Sequence, residues 1–460
     1  MNCRRLVVCV VFVGLVCGLS GAWGADGGSA ELAPSQTGFE QWLADVKQPT
    51  DWFEWGGDLR LRQVYHENAI DFLNEFEDTR HFFRIRARVW GRFGPFFVDE
   101  DLGVPNGLSA YVRLTAEPRY FIQRELVSTV PVWDEVVWDN LYLDWQRIGG
   151  APVSVRVGRQ DILYGRGFVI LDGTPLDGSR TIYSDAIKAT LHLDEQDTVV
   201  DLLWIDNKGN QKRFKPFNET EGLVSEFDAT VVGAYLINRS LEGHELHGYY
   251  LYKDEDNISG KTNIPGGRIV HTVGGLAQGK FCDNWDYYAE AAYQWGKEGT
   301  ASREGWGLSA DLGYTFADTK WTPRVHAGYE YLSGDDRSTS QFEGWDPVLA
   351  RWPHWSELYV YRWAFEGGQP GLYTNVQRYT LGGRIHPCEQ TTVDLDYSYL
   401  RANEHPFGTT NVFPMMPYDT GYTRGHLVVA TLKHTFNKYM SKTGRSRYAR
   451  SCIRPWTARA

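Results

Sequence analysis

The sequence lacks any run of about 18 apolar residues, the length that a membrane-spanning helix needs, and its mean hydropathy is −0.42. A helical membrane protein is therefore excluded. The longest apolar stretch, LVVCVVFVGLVCGL (residues 6–19), follows two arginines and precedes small residues. This order is typical of a secretory signal peptide, so we predict residues 1–22 as one, with cleavage after Ala22 or Gly24. The alternative is a short buried helix.

Cysteine is scarce. There are six cysteines, and three of them lie inside the predicted signal peptide. The others are Cys282, Cys388 and Cys452, an odd and scattered set with no CxxC pair. Neither a disulfide framework nor a zinc site is expected.

Catalytic motifs are also absent. The sequence has no GxSxG, no Walker-type glycine loop and no dinucleotide fingerprint. The stretch GHELH (243–247) lacks the HExxH spacing, and DEDNISG (254–260) matches a calcium loop only at Asp254 and Asp256. We expect no enzyme, no catalytic residue, no cofactor and no metal. The net charge is −11, and no nucleic-acid partner is expected.

Aromatic residues are abundant at 14 %, and the 48 glycines favour an all-β protein with many turns. Segments that alternate apolar and polar residues recur from residue 54 almost to the end. Each spans roughly 8–15 residues, and about 9–11 suffice to cross a bilayer as a tilted strand. The sixteen segments lie near 54–66, 79–93, 108–117, 137–147, 153–160, 182–193, 197–206, 227–239, 244–253, 268–281, 285–296, 304–317, 321–333, 374–386, 391–401 and 424–437.

Short and long connections alternate between these segments. Short ones such as 194–196 and 282–284 take turns with long polar ones such as 161–181 and 334–373, and 94–107 breaks the order. The alternation predicts a transmembrane up-and-down antiparallel β-barrel of about 16–18 strands, with short periplasmic turns and long extracellular loops. The predicted parts are the signal peptide (1–22), an N-terminal periplasmic segment (23–53), the barrel (54–437) and a basic C-terminal tail (438–460).

The two faces of single segments support a barrel. In WGLSADLGYTF (306–316), apolar side chains share one parity and mainly polar ones the other. An apolar face outward, a polar face inward and aromatic residues near strand ends are typical of membrane barrels. In VVDLLWID (199–206), however, Asp201 has the parity of Leu203 and Ile205, for which we expect a bulge or a misplaced register.

Basic residues collect on the polar parity, most densely in FFRIRARVWGRF (82–93). With Lys433 we count thirteen basic against seven acidic residues there. A barrel of this width encloses water, so we predict an arginine-rich lumen that selects anions. The alternative is that these residues pair with carboxylates on neighbouring strands and only rigidify the wall. The candidate channel-lining residues are Arg60, Arg62, Arg84, Arg86, Arg88, Arg92, Arg113, Arg156, Lys188, Arg324, Arg378 and Arg384.

Two stretches resemble the alginate-export family of outer-membrane barrels. VRVGRQDILYGRGFVILDGTPLDGSRTIYSDAIKATL (155–191) has the order strand, GRQ, YG, long loop, SDA, strand, and FEGWDPVLARWPHWSELYVYRW (342–363) leads into a further strand. The resemblance implies a non-enzymatic outer-membrane channel of eighteen strands for an anionic polysaccharide, narrowed by inward-folded loops. Arg159 matches the family motif, and Arg159, Asp161 and Arg166 are the candidate constriction residues.

The late loop is dense in aromatic residues, with Trp352, Trp355, Tyr359 and Trp363 as candidates for stacking on sugar rings. The alternative is packing over the barrel mouth. We predict a Gram-negative-type outer-membrane channel that passes an alginate-like anionic polysaccharide or its oligomers passively, with the lipid bilayer and a periplasmic scaffold protein as partners. The alternatives are a porin for uptake of small anions, a non-conducting structural barrel and a barrel enzyme.

Overall fold

The computed structural model describes residues 7–18, 38–67, 79–124, 135–171, 183–208, 213–217, 227–257, 267–350, 355, 373–405, 418–419, 422–437, 440–450 and 454–455. The regular structure in these residues is almost entirely β. One α-helix, α1 (Gly38–Lys47), and three 3-10 turns at Glu100–Leu102, Ile148–Gly150 and Asp194–Gln196 are the exceptions. Within these ranges, no helix is both long enough and apolar enough to cross a membrane.

The strands of the sheet alternate in direction along the chain, except that the short fifth strand continues in the direction of the fourth. They are β1 (Val7–Gly18), β2 (Phe53–Glu67), β3 (Thr79–Phe96), β4 (Gly107–Ala116), β5 (Arg119–Arg124), β6 (Val136–Gln146), β7 (Val153–Gln160), β8 (Ser184–Leu193), β9 (Thr198–Asn207), β10 (Phe227–Asn238), β11 (His244–Asn257), β12 (Arg268–Phe281), β13 (Trp285–Glu298), β14 (Ala301–Thr315), β15 (Arg324–Leu332), β16 (Val376–Cys388), β17 (Thr391–Arg401), β18 (Tyr418–Asp419), β19 (Thr423–Asn437), β20 (Met440–Arg450) and β21 (Arg454–Pro455).

Nineteen of these strands form one antiparallel sheet. Each long strand pairs with the next long strand along the chain, in order from β2 to β4 and from β6 to β17. Strand β4 pairs with β6, β17 with β19, and β19 with β20. The short strand β5 continues β4 after Pro118, because β4 pairs with the second half of β3 and β5 with its first half. The other two strands, β18 and β21, pair with each other.

Strands from the two ends of the chain pair with each other and close the sheet into a ring. Strand β1 pairs with β2 along one edge and with β20 along the other, so eighteen strands form a ring. Yet β1 lies in the predicted signal peptide, whose removal remains a prediction. Without β1, the sheet has free edges at β2 and β20, and the described pairings do not close the wall of the mature chain.

The prediction of an all-β antiparallel barrel is confirmed, and each of the sixteen predicted segments coincides with a long strand, to within a few residues. Strands β1 and β20 were not predicted as wall strands because neither alternates. VVCVVFVGLVCG is apolar on both parities, and MSKTGRSRYAR carries basic residues on both. The eighteen strands that the resemblance implies are therefore reached only with these two.

Turn length separates the two ends of the ring. We call the end with turns such as 194–197 and 282–284 the short-turn side, and the opposite end the long-loop side. The strict alternation expected from the sequence fails at β13 and β14, which two residues, Gly299 and Thr300, join on the long-loop side. Gly299 adopts φ 60°, which a tight hairpin requires and which glycine permits.

Helix α1 was not predicted. Its apolar residues Phe39, Leu43 and Val46 recur at helical spacing, and Leu43 is buried. The Trp55 indole N–H donates to the Val46 carbonyl at 2.7 Å. The helix therefore packs against the start of β2 on the short-turn side.

Aromatic residues bound an apolar belt on the outer face. On β13, Trp285 at one end and Trp295 at the other are 37 % and 36 % exposed and share a parity. Ten residues of strand span ~33 Å, and a tilt of about 40° reduces this to ~25 Å, the height of the apolar band in outer-membrane barrels. Between the aromatic ends the same face carries Ala289 and Ala291, and across the pair Leu308 and Ala310. This face is the one that lipid covers.

We expect Ala310→Arg to lower the free energy of unfolding by about 2–4 kcal/mol, because it places a charge at the middle of the hydrocarbon. Phe316→Arg, at the short-turn end of the same face, serves as the matched control and should cost about 0–1 kcal/mol. Denaturant titration of protein refolded into vesicles measures both. Equal costs at the two positions would show that this face does not contact lipid.

Candidate channel lumen

Strand β3 separates apolar from cationic surface. On one parity Phe83, Val89 and Phe93 are 37 %, 47 % and 38 % exposed, whereas on the other Arg84 and Arg86 are each 7 % exposed. The exposed parity continues the apolar belt. The arginines therefore point towards the interior of the ring, as the alternation predicted.

Arginine stands opposite arginine in this part of the wall. In the register of β2 and β3, Arg60 lies beside Arg86 and Arg62 beside Arg84. Directly opposed like charges destabilise a sheet unless carboxylates or water compensate them. The carboxylates of Asp58 and Glu117 compensate them, and each contacts two arginines.

We call Arg60, Arg62, Arg84, Arg86, Arg88 and Arg92 the basic wall. Among the described residues, five of these arginines share three carboxylates. Glu117 contacts Arg60 (3.3 Å) and Arg84, Asp58 contacts Arg86 (3.1 Å) and Arg88 (2.6 Å), and Glu54 contacts Arg92 (3.1 Å).

The basic wall opens to water towards the short-turn side. Side-chain exposure is 9 % at Arg84 and 8 % at Arg86, but rises to 20 % at Arg88 and 30 % at Arg92. Arg88 and Arg92 are thus the members of the wall whose charge a solute entering from that side meets first.

The other predicted lining residues also take the interior parity, and each has a carboxylate within 4.0 Å. These paired cations stiffen the wall and add little net charge. The pairs are Arg113 with Asp139 and Asp161, Arg156 with Asp144, Lys188 with Asp201, Arg324 with Asp286 and Asp311, Arg378 with Glu330, and Arg384 with Asp394.

The sequence count of seven acidic residues on the interior face was too low. Asp139 is the extra residue at a register shift between β4 and β6, Asp161 follows the end of β7, and Asp286 is at the start of β13. Asp201 stood on a face that looked apolar, and Glu54 lay at the first residue of a segment. Strand ends and bulges hide such residues from a parity count.

Two connections on the long-loop side fold into the ring and pack on each other. We call residues 161–171 and 333–350 together the plug. The Leu349 N–H donates to the Val169 carbonyl at 3.0 Å, and the ring centroids of Phe168 and Trp345 are 5.1 Å apart. All four residues are at most 7 % exposed. The plug fills part of the lumen with apolar side chains.

The plug explains the irregular parity of β9. Leu203 and Ile205 are 3 % and 0 % exposed and point inward with Asp201, whereas Leu202 and Trp204 are 55 % and 44 % exposed. Pairing with both neighbours runs without a shift, so the bulge or misplaced register expected there is wrong. The inner face of β9 is apolar because the plug covers it.

Tyr164 anchors the first plug segment to this face. Its ring stacks on that of Tyr235 at 3.8 Å, and its hydroxyl donates to Asp201 at 2.5 Å. Burial raises the pKa of Tyr164 far above its usual value, and the carboxylate of Asp201 raises it further. The hydroxyl therefore stays protonated and remains a donor.

The two halves of the family-like motif bind each other. Arg159 donates to both oxygens of Asp185 at 2.7 and 3.0 Å, and the Gln160 side chain donates to the Ala186 carbonyl at 3.2 Å. Gly165 has φ 54°, and a Cβ there would lie 2.6 Å from a methyl carbon of Leu276. The motif thus fastens β7 to β8 and turns the chain into the lumen.

The three constriction candidates occupy different places. Arg159 is 2 % exposed, and its guanidinium lies 3.5 Å from the ring of Tyr183, which favours a structural role. The Asp161 side chain is 24 % exposed and bound to Arg113 at 2.7 Å. The Arg166 side chain is 45 % exposed and lies 4.1 Å from the ring of Tyr288. Arg166 is the most exposed of the three, and its guanidinium lies 3.8 Å from the carboxylate of Asp311 on β14.

Asp346 fastens the second plug segment to the wall. Its carboxylate accepts from Lys253 at 2.9 Å and from Arg268 at 3.0 Å, with Arg303 at 3.9 Å. The carboxylates of Glu255 and Glu298 complete a neutral set of side chains that are at most 10 % exposed. We call this set the clasp: Lys253, Glu255, Arg268, Glu298, Arg303 and Asp346.

The clasp is electrostatically stable at ordinary pH. Burial acts to raise the pKa of Asp346, but Lys253, Arg268 and Arg303 outweigh it and hold that pKa below its ordinary value of 3.8. A carboxylate with a depressed pKa stabilises the folded state above its ordinary pKa, and this stabilisation is lost as the pH falls through the depressed value. The plug should therefore stay fastened from neutral pH down to about pH 5.

Of the predicted sugar-stacking residues, Trp355 lies among the described ones. Its indole N–H donates to Glu330 at 2.9 Å, and the guanidinium of Arg378 lies 5.2 Å from its ring. Trp355 therefore reaches interior residues of β15 and β16. Trp352, Tyr359 and Trp363 lie outside the described residues.

Sequence reasoning missed the plug and the clasp. The run FVIL (168–171) within a long polar connection was the available signal, since four successive apolar residues in a loop call for burial. Nothing comparable marks Asp346, because an acidic residue in a loop is ordinarily solvated.

A comparison with known protein families gives one match for this chain. The model of the family described as alginate export matches residues 56–407. No curated protein matches the sequence significantly.

Similar solved structures include Acinetobacter baumannii OccAB4, at 13 % identity over 89 % of this chain and 100 % of that one, with a TM-score of 0.49. Pseudomonas aeruginosa OccK11 (OpdR) has 8 % identity over 98 % and 96 %, with a TM-score of 0.47. An anion-selective porin from Comamonas acidovorans has 11 % identity over 86 % and 99 %, with a TM-score of 0.41. All three TM-scores are below 0.5, so the likeness extends to no property of this chain.

We expect Asp346→Asn to release the second plug segment, because it leaves a surplus buried cation at a cost of about 3–5 kcal/mol. Single-channel recording should then show higher conductance and larger current fluctuations than the unchanged protein. Lowering the pH from 7 to 5 should not imitate the variant.

The matched control is Asp336→Asn, which lies in the same segment, is only half-buried and does not belong to the clasp. It should leave the conductance unchanged. If Asp346→Asn conducts like the unchanged protein, the clasp does not hold a narrowing element.

Proposed function

The chain belongs to the alginate export family and is an outer-membrane channel, and we propose that its cargo is an anionic polysaccharide of alginate type or its oligomers, moving passively. The family match spans residues 56–407, nearly the whole wall. On this reading the short-turn side faces the periplasm. The inferred partners are the lipid bilayer, the polysaccharide and a periplasmic scaffold protein.

The basic wall carries the proposal. Arg86 and Arg88 both contact the carboxylate of Asp58, and the side chains of Arg88 and Arg92 are 20 % and 30 % exposed, against 8 % for Arg86. A low-dielectric wall focuses the field of such residues on a solute in the water-filled lumen. A polymer with a carboxylate on each sugar can exchange from one arginine to the next as it advances.

Uptake of small anions is the second candidate. The plug favours it, because apolar side chains fill one part of the lumen and leave less room for a chain of sugars. Trp355 beside Arg378 favours the polysaccharide, since an indole face suits the C–H surface of a sugar while the cation binds its carboxylate.

We expect alginate oligomers added on the short-turn side to interrupt the current of a single channel, and neutral dextran of equal length to have little effect. Higher voltage should shorten each interruption if the oligomer passes through. Lengthening interruptions would mean that the oligomer only plugs the entrance, which supports the small-anion porin instead.

The double variant Arg88→Gln, Arg92→Gln should raise the oligomer concentration needed for half-maximal block. One unit charge at 4–8 Å in water is worth about 0.5–1 kcal/mol, or roughly two- to five-fold per charge. Arg147→Gln is the matched control, because Arg147 pairs with Asp194 in a short turn outside the lumen. Identical block in the double variant and the control would remove the basic wall from the account.

A further inference from the structure

The outer face of the wall holds a cavity at its long-loop end. Its volume is about 510 Å³, and strands β11 to β14 line it together with one residue of the plug. A cavity of this size holds a sugar or a comparable small group. We call it the rim site, and the lining residues that bear on its chemistry are Tyr252, His271, Trp295, Lys297, Glu304 and Gln341.

Cross-strand pairing puts the rim site on the lipid-facing parity. Tyr252 stands opposite His271, which in turn stands opposite Trp295. Glu304 stands opposite Trp295 on the other side. Because Trp295 bounds the apolar belt, the whole row faces outward, and the rim site is continuous with the surface that lipid covers.

Lys297 lies just beyond the apolar belt. It follows Trp295 by two residues on the same face, which is ~7 Å of strand and ~5 Å along the membrane normal at a tilt of about 40°. The head-group layer adds about 5–8 Å to each side of the hydrocarbon. Lys297 therefore lies at the depth of the lipid head groups, on the side of the long extracellular loops.

Stacked rings form the wall of the rim site nearest the apolar belt. The rings of His271 and Trp295 are 5.2 Å apart and parallel to within 7°. The Tyr252 ring meets His271 edge-on at 5.1 Å, and the Tyr250 hydroxyl lies 2.8 Å from Nδ1 of His271. These contacts fix flat aromatic faces in place, and such faces suit the C–H surface of a sugar ring.

The polar groups of the rim site carry both signs of charge. Lys297 and Glu304 are exposed there. An ammonium binds phosphate as a point charge, a carboxylate accepts hydrogen bonds from hydroxyl groups, and the Gln341 amide both donates and accepts. This set suits a sugar that carries phosphate better than a bare anion, which Glu304 would repel.

The rim site also adjoins the attachment of the second plug segment. The Phe342 N–H donates to the Ser302 carbonyl at 2.8 Å, and the Glu304 N–H donates to the Phe342 carbonyl at 2.9 Å. Between these two wall residues, Arg303 points inward and belongs to the clasp. A group that joins Gln341 to the wall therefore adds to the contacts that hold the plug.

We propose that the rim site binds the phosphorylated sugar head group of an outer-leaflet lipid, and that the bound lipid holds the second plug segment against the wall. Lys297 binds the phosphate, the rings of Trp295 and His271 cover the sugar, and Gln341 contacts it from the plug. The acyl chains of the same molecule lie on the adjoining apolar belt. The proposal depends on the outer-membrane location and not on the cargo.

Lipid retention tests the ligand. Protein in phosphatidylcholine vesicles is supplied with lipid A, whose head group is a phosphorylated glucosamine disaccharide, or with phosphatidylglycerol, which carries phosphate without a sugar ring. Native mass spectrometry then counts the lipids that stay bound. We expect lipid A to be retained in preference to phosphatidylglycerol. Equal retention of the two overturns the assignment of a sugar head group.

The double variant Trp295→Ala, Lys297→Gln should raise the lipid A concentration needed for half-maximal retention by about two- to five-fold from the lysine charge alone. The matched control is Trp285→Ala, Lys320→Gln at the short-turn end. Trp285 is as exposed as Trp295, and Lys320 likewise lies near an indole, 5.1 Å from the ring of Trp321. The control should retain lipid A like the unchanged protein. Equal retention by the two double variants, whether high or low, overturns the rim site.

Single-channel recording in KCl tests the link to the plug. With lipid A in the leaflet on the long-loop side, the unchanged protein should show smaller current fluctuations than in phosphatidylcholine alone. Trp295→Ala, Lys297→Gln should show the larger fluctuations in both membranes. Fluctuations of the unchanged protein that do not depend on lipid A overturn the role of the lipid in holding the plug. No cargo is present, so this outcome is independent of the proposed function.

Discussion

A backbone hydrogen bond has no substitute inside hydrocarbon, and the rest of this structure follows from that constraint. Every strand in the layer must be paired along both edges, which forces the sheet into a ring and gives one parity of each strand to lipid. Ala289, Ala291 and Ala310 can occupy that parity because they need no partner. Charges in the middle of the wall take the other parity, as Arg84, Arg86 and Glu290 do.

The interior divides into two regions that stabilise the wall differently. Opposite β9 to β14, the plug packs apolar side chains such as Phe168 and Trp345 against the wall, and the clasp joins the two through a neutral set of buried charges. Along β2 to β4, cations share carboxylates and become more exposed towards the short-turn side. The buried ion pairs are concentrated in the first region, and the more exposed cations lie in the second.

Local alternation predicted the sixteen strands and the inward direction of Arg84 and Arg86, because the parity of a strand depends on adjacent residues alone. The plug and clasp depend on contacts between residues far apart in the chain: Asp346 meets Lys253 across 93 positions, and no local pattern encodes that. The carboxylate partners of the arginines were partly hidden for a related reason, since Asp139 is itself the bulged residue of β6. Strands β1 and β20 break the alternation, and for this reason the sequence pattern did not predict them.

The central claim is that the interior of the closed ring carries surplus positive charge next to water. The most direct test is the reversal potential of the mature, unaltered protein in a planar bilayer under a gradient of KCl. The account predicts a reversal potential with the sign of the chloride equilibrium potential, as for an anion-selective pore. A reversal potential with the sign of the potassium equilibrium potential, as for a cation-selective pore, would contradict it.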